Sequence, residues 1–321
     1  MEFAGRLAVV TGGGSGMGRE LVVQLAAAGC SVAMCDVDQV AMDETAERAT
    51  NGAPAGVRIT THVCDVADER QVGSFREAVL AEYGVDHVDL VFNNAGIGGG
   101  GSFVAGRREE WERTFAICWG GVYNCSRAFV PLLIASDEGW LVNTSSVNGF
   151  WASLGPGVPN SAYSSAKFAV KGFSEALIED FRVNAPHVKV AVVMPGHIGT
   201  NIVANTRRVL GSDPDTMSED ELAQVRADMT RRGMQLDGMS DGDIQQLMKT
   251  MAEAFRDNAP LSAAQAATVI LDGVRAGQWR ILVGDDARAI DAAVRGDPEN
   301  AYATGGPGFP TINRGSTDAV R

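Results

Sequence analysis

The sequence is poor in the residues that metal and redox chemistry use. Its four histidines, His62, His87, His187 and His197, are scattered without the short spacing of a zinc site, so no catalytic metal is expected. The five cysteines, Cys30, Cys35, Cys64, Cys118 and Cys125, contain no Cys-x-x-Cys pair and mostly sit in apolar stretches, where a thiol behaves as a small hydrophobe. That usage suits a reducing cytoplasm. Bases are scarce as well: 27 Lys and Arg against 40 Asp and Glu give a net charge of -13, which argues against a nucleic-acid or anionic-membrane partner. No apolar run approaches membrane-spanning length, and a strand-like Leu7 to Thr11 follows the start too closely for a signal h-region. The expectation is a soluble protein that stays in the cytoplasm.

What remains is an ordinary globular composition, 45% apolar and 21% charged over 321 residues, enough for one large core. Short apolar runs bounded by turn residues recur: Leu7 to Thr11, Ser31 to Asp36, Val57 to Val63, Val88 to Asn93, Trp140 to Ser145 and Val188 to Met194. Between the first two, Met17, Leu21, Leu25 and Ala28 keep helical spacing and Gly29 follows as a cap. Repetition of this strand-helix-strand unit predicts an α/β fold, a doubly wound parallel sheet with helices on both faces. Ligands of such sheets bind at the carboxyl ends of the strands.

Beyond Thr200 the pattern changes. Residues 201 to 260 look helical but polar and hold six of the eleven methionines, Met217, Met229, Met234, Met239, Met248 and Met251. This segment is expected to be a helical lid inserted in a single domain of residues 1 to 296. A last helix, about Ala263 to Ala276, leads to a final strand at Ile281 to Val283, and from about Asp297 a Gly, Pro, Asn and Thr-rich tail is expected to be poorly ordered.

The first strand runs straight into Thr11-Gly12-Gly13-Gly14-Ser15-Gly16-Met17-Gly18 and then into a helix. Missing side chains let the backbone approach a diphosphate, whose charge the helix's positive end meets. Gly12, Gly14, Ser15, Gly16, Met17 and Gly18 are therefore candidate cofactor contacts. Asp36 closes the second strand, where an acid can accept both ribose hydroxyls and would repel a 2'-phosphate; no Lys or Arg lies from Gly12 to Gly18 or from Asp36 to Val40. The pattern points to NAD. Asp38 is an alternative acceptor, with helix N-capping as its simpler role.

Tyr163-Ser164-Ser165-Ala166-Lys167 opens a helix with an apolar stripe of Ala166, Ala169, Val170, Phe173, Leu177 and Phe181. Four residues apart, Tyr163 and Lys167 share one face. A cation within about 4 to 6 Å is expected to lower the phenol by roughly 1 to 3 units, into the range of a usable acid or base. Ser146, after Asn143-Thr144-Ser145, closes the preceding strand and is placed to hold a substrate oxygen. Asn93-Asn94-Ala95-Gly96 and Pro195-Gly196-His197-Ile198-Gly199-Thr200 end two neighbouring strands.

In this order the set resembles the short-chain dehydrogenase/reductase family, over residues 4 to 200 and again near 263 to 284. The resemblance implies a Rossmann-type sheet of about seven strands, usually a homotetramer or homodimer, and hydride transfer between a nicotinamide and a CH-OH group. It implies catalytic Ser146, Tyr163 and Lys167, adenine contacts from Asp65 and Val66, and Asn93, Ala95 and Gly96 lining the cofactor pocket. Ile198 and Thr200 would hold the carboxamide, and Tyr163 and Lys167 would also meet the nicotinamide ribose. Two features depart from the family pattern. Cys118 stands where an Asn commonly anchors the lysine, and Phe150 to Asn160, with Gly155, Pro156, Gly157 and Pro159, is longer than usual and reads as a loop lining the substrate pocket.

The expected substrate is a small-molecule secondary alcohol or ketone, bulky and apolar if the lid methionines face it, with Trp119, Phe150 and Trp151 as added aromatic walls. Packing of the methionines within the lid is the equal alternative. Two other functions fit the same motifs: an NAD-binding regulatory protein that has lost the chemistry, and an epimerase or dehydratase that retains its NAD.

Overall fold

Five consecutive buried residues, Leu7–Thr11, make the first strand, β1, and the later apolar runs are buried nearly as fully except the edge run Ile59–Val63, which is half-buried to exposed. In the computed structural model, which describes residues 1–155, 158–231 and 234–303, these runs form β2 (Ser31–Asp36), β3 (Ile59–Val63), β4 (Leu90–Asn93), β5 (Gly139–Thr144) and β6 (Val188–Pro195). Strands buried on both faces need parallel neighbours and helical crossovers. Helices α1 (Gly16–Ala27), α2 (Gln39–Gly52), α3 (Glu69–Tyr83), α4 (Arg108–Phe115), α5 (Gly121–Ala135) and α6 (Ser161–Asn184) supply them.

Later in the chain come β7 (Ile198–Gly199), α7 (Ile202–Val209), α8 (Glu219–Arg231), α9 (Asp241–Asp257), β8 (Leu261–Ser262), α10 (Ala263–Arg275), β9 (Arg280–Val283) and α11 (Asp285–Gly296). The main sheet is seven-stranded and parallel, in the order β3-β2-β1-β4-β5-β6-β9. Its order reverses between β1 and β4, which opens a crevice at their carboxyl ends. Thr11 and Asn93 flank that crevice. One face is covered by Leu21, Leu25, Ala266 and Ile270 of α1 and α10, the other by Phe75, Cys125, Phe129 and Phe181 of α3, α5 and α6.

The 201–260 segment is tied at its base, because β7 pairs with β8 in parallel through Ile198↔Leu261 and Gly199↔Ser262. Above that stem the segment has an apolar cluster of its own. Leu222, Met229, Leu236, Ile244 and Met248 are buried in it, and Met217, Met234 and Met239 pack against it. Five of the six methionines therefore pack within this segment, Met251 being exposed, and they lend no support to a bulky apolar substrate. Flexible thioethers fill the irregular gaps between such short helices.

The aromatic walls are corrected in the same way. Phe150 and Trp151 pack with Val147, Ala287 and Ile290 under α11, and Trp151 Nε1 donates to Ala301 O at 3.0 Å. Trp119 stacks edge-on against Phe173 at 5.4 Å. The segment after Ser146 is thus braced by Ala301 and Tyr302, with Tyr302 Oη accepting from Ala152 N at 2.9 Å. Residues 297–303 of the expected tail take part in this contact, while 304–321, and Pro156 and Gly157 of the long loop, lie outside the described residues. Among the described residues no helix is long and apolar enough to cross a membrane.

Candidate active site

The glycine loop is shaped by close approach, not by flexibility. A Cβ on Gly18 would stand 2.0 Å from Gly12 O, and one on Gly12, at φ +68°, would stand 2.9 Å from Ala95 Cα. Only hydrogen fits there, and Gly12 also needs the left-handed backbone. Thr11 Oγ1 accepts from Asn94 N and Ala95 N, both at 3.0 Å, and so pins the β4 turn beside the loop. Ser15, the N-cap of α1, accepts no first-turn N-H, and the first turn holds no acid. Helix N-H groups left in this way, beside a turn without side chains, suit a diphosphate.

Asp36 fits the ribose position. Its Oδ2 accepts from Gly14 N at 3.0 Å and its Oδ1 from Val37 N at 2.7 Å. Burial pushes the carboxyl up, only partly offset by these backbone donors. Two hydroxyl donors from a ribose would relieve that cost. Asp38 caps α2, accepting from Ala41 N at 3.0 Å. The residues present fit a nicotinamide dinucleotide.

Further along the crevice the assignments divide. Asp65 is engaged, accepting from Ala67 N at 3.0 Å and from Arg113 Nη2 at 2.6 Å, and the Val66 carbonyl accepts from Asn124 at 3.0 Å. The Asn93 side chain faces the interior, where its Nδ2 donates to Asn143 Oδ1 at 2.8 Å and Ser126 Oγ at 3.1 Å. Asn94 and Ala95 of the same turn stand against Thr11 and Gly12, and Gly96 lies beside Lys167 Nζ. A wider hollow of about 570 Å³ runs along the outer edge of β3, past Thr61, Val63 and Ser74, and includes none of the catalytic candidates.

Ser146, Tyr163 and Lys167 come together. Ser146 caps a short 3-10 turn, accepting from Asn148 N at 3.1 Å, and neighbours the Tyr163 phenol. Lys167 is 3% exposed, and its Nζ donates to Thr144 O at 2.8 Å and lies 5.5 Å from the Tyr163 ring centre. Gly149 makes this approach possible, since a Cβ there would stand 2.1 Å from Ser145 Oγ and 2.7 Å from Lys167 O.

The electrostatics correct the sequence expectation for Tyr163. Burial pushes its phenol up, the neighbouring Cys118 adds to the rise, and Ser146 only partly opposes it. Burial likewise lowers Lys167. Four-residue spacing brings the two groups together but says nothing of how far both leave water, and desolvation dominates here.

Cys118 is fully buried at a π-turn, Ala116–Gly120, between α4 and α5. Its thiol donates to Ile97 O at 3.1 Å and accepts from Ile97 N at 3.4 Å, so it clasps the loop after Gly96. Lys167 rests on a backbone carbonyl, Thr144 O, rather than on a side chain at position 118.

Several contributors lie outside the motifs. Arg19 donates to Gly14 O at 2.6 Å and holds the loop from behind. From α7, Asn205 donates to Ser15 Oγ at 3.0 Å, Thr206 Oγ1 accepts from Gly98 N at 2.8 Å, and Arg208 stands 3.8 Å from Asp38. Asp286 of α11 accepts from His197 N at 2.6 Å and fills the space a Gly196 side chain would need, with Oδ2 at 2.2 Å from that Cβ position. No local pattern announces these contacts, because the partners lie as far as 190 residues apart.

Two variants test this framework. Gly18→Ala should cost roughly 1 to 3 kcal/mol through forced overpacking, read as a lower denaturant midpoint together with lost NADH binding. Asp286→Ala leaves the His197 N-H without its acceptor and should cost about 1 to 3 kcal/mol, with Asp286→Asn recovering part of the loss. Equal midpoints for Asp286→Ala and the parent would refute the clamp.

Comparison with known proteins agrees with this geometry. Residues 6–210 match the short chain dehydrogenase family model. SadH of Mycobacterium tuberculosis is 35% identical over 295 residues, covering 92% of this chain and 91% of its own length. Levodione reductase of Leifsonia aquatica is 31% identical over 230 residues, 70% of this chain and 81% of its own. Among solved structures, a short chain dehydrogenase/reductase from Burkholderia phymatum in complex with NAD superposes with a TM-score of 0.73 at 27% identity, covering 94% of this chain and 95% of its own. With its glycine loop, seven-stranded parallel sheet and Ser146, Tyr163 and Lys167 gathered at one end, this chain is an oxidoreductase belonging to the short-chain dehydrogenase family.

Proposed function

We propose that the protein is an NAD-dependent dehydrogenase or reductase of a secondary alcohol and its ketone, with Tyr163 as the proton-transfer group. The observation that carries this reading is the half-buried Tyr163, its phenol neighbouring Ser146 and its ring 5.5 Å from the buried Lys167 Nζ. Bound NAD supplies the carbon that takes or gives the hydride. Ser146 orients the substrate oxygen, Tyr163 removes or returns its proton, and Lys167 holds positive charge beneath the phenol. Asp36 supports NAD over NADP, since a 2'-phosphate would meet its carboxylate. We further read 201–260 as the substrate lid of a single 1–296 domain. Assembly as a homodimer or homotetramer would cover Tyr123, Ile134 and Phe168, which are exposed on α5 and α6. The proposed setting is the cytoplasm, where five buried free thiols stay reduced.

The decisive assay runs secondary alcohols and ketones with NAD and NADP in parallel and follows nicotinamide absorbance. Binding of NADH without turnover on any of them would count against the enzyme and for a nucleotide-binding regulator. A pH dependence follows from the raised phenol. The protonated form is the acid that ketone reduction needs, so reduction should hold steady through neutral pH and fall only in alkali. Oxidation needs the phenolate, so its rate should climb with pH across the same range. Opposite slopes would reassign the proton carrier.

A further inference from the structure

The lid carries a cation with little to satisfy it. Arg207 lies in α7, where one nitrogen, Nη1, donates to Met248 O at 2.7 Å. Among the described residues no carboxylate lies within ion-pair distance of it; Asp213 acts on it only at longer range. Its neighbour Arg208 differs, being exposed and within 3.8 Å of Asp38. A guanidinium has five N-H donors, and a half-buried one that spends a single donor on a carbonyl keeps the rest for water or for a ligand. Burial lowers Arg207 accordingly.

Arg207 also borders a cavity. With Gly98, Ile202, Val203 and Thr206 it lines a space of about 160 Å³, large enough for a short organic chain. The cavity adjoins the catalytic groups through the backbone. Gly98 is two residues beyond Gly96, whose Cβ position is 3.5 Å from Lys167 Nζ, and two residues span at most about 7 Å. Thr206 Oγ1, accepting from Gly98 N, fastens α7 over the opening. A substrate with its carbinol at Tyr163 would therefore run its other end beneath α7.

We propose that Arg207 is a specificity-determining residue that binds the carboxylate of a short hydroxy or oxo acid, with its fork of donors facing the Gly98 cavity. This inference rests on the dehydrogenase reading. A carboxylate suits one guanidinium in a small cavity, since two parallel N-H bonds satisfy both oxygens. Ile202 and Val203 fit the few methylenes between the carboxylate and the carbinol.

The test compares 4-hydroxypentanoate and 5-hydroxyhexanoate with their neutral carboxamides, using NAD, for the parent chain, Arg207→Met and Arg207→Lys. Loss of a charge-assisted bond should lower the acid-to-amide ratio of kcat/KM about tenfold to a hundredfold in Arg207→Met, mostly through KM, with Arg207→Lys retaining part. Thermal midpoints and NADH affinity should stay near those of the parent. An unchanged ratio overturns the proposal, as does a parent enzyme that prefers the amides. A shift in NADH affinity instead places Arg207 on the cofactor's phosphates and also overturns it. Should no alcohol react, the dehydrogenase reading fails separately, and calorimetric titration of the NADH-loaded protein with butyrate decides the site. Butyrate binding that disappears in Arg207→Met supports the anion site; no binding by the parent refutes it.

Discussion

Tyr163→Phe should reduce turnover by about 10² to 10⁴-fold while leaving NADH affinity within a small factor of the parent. The ring keeps its packing against the apolar cluster on the α3, α5 and α6 face, and its contact with Lys167 at 5.5 Å survives. Only the phenol oxygen is lost, together with its contact with Ser146. A neutral hydrogen bond is worth about 0.5 to 1.5 kcal/mol, so folding should be nearly unaffected. Fluorescence titration of NADH, paired with single-turnover absorbance, separates the two effects. Near-normal turnover in a well-folded Tyr163→Phe protein would sink the proposed mechanism. Should cofactor affinity collapse instead, the phenol would hold the cofactor and not the reacting oxygen.

The second large effect is expected at Asp36. Replacement by Ala removes the carboxylate whose Oδ2 holds Gly14 N and whose Oδ1 holds Val37 N. Part of the damage is therefore to the loop itself, and it falls on NAD and NADP alike. The informative quantity is the ratio of kcat/KM for the two cofactors, in which that shared loss cancels. Each charge-assisted bond is worth about 1.5 to 3 kcal/mol, and removing the repulsion of a 2'-phosphate adds to the change. The NAD-to-NADP ratio should fall about tenfold to a thousandfold. Arg208, exposed and close to Asp38, gives an incoming phosphate a cation to meet. An unaltered ratio would mean that selectivity resides elsewhere.

Much of the scaffold was legible because its signals are local. The apolar runs at Leu7 to Thr11 and Ser31 to Asp36 coincide with β1 and β2, and the period of two or 3.6 residues is imposed by backbone geometry alone. The glycine turn, Asp36 at the end of β2 and the Tyr163 to Lys167 spacing are likewise written within a few residues of each other. Side-chain destinations were less legible. Asn93 ends β4 as expected, yet whether its amide turns toward a cofactor or toward Asn143 depends on a strand fifty residues away. The lid methionines could face a ligand or one another, and the choice was made by how α8 and α9 pack.

The sequence by itself determined the order of strands and helices, the nucleotide turn and the gathering of Ser146, Tyr163 and Lys167, since each follows from short-range pattern and strand-end placement. Tertiary structure alone decided the charges and the surroundings of those groups. Desolvation depends on everything packed around a group, so the Tyr163 phenol is raised where spacing implied lowering. Contacts such as Asp286 on the His197 backbone, Asn205 on Ser15 and Arg207 beside Gly98 join segments that meet only once the sheet is assembled and the lid has closed on its own core.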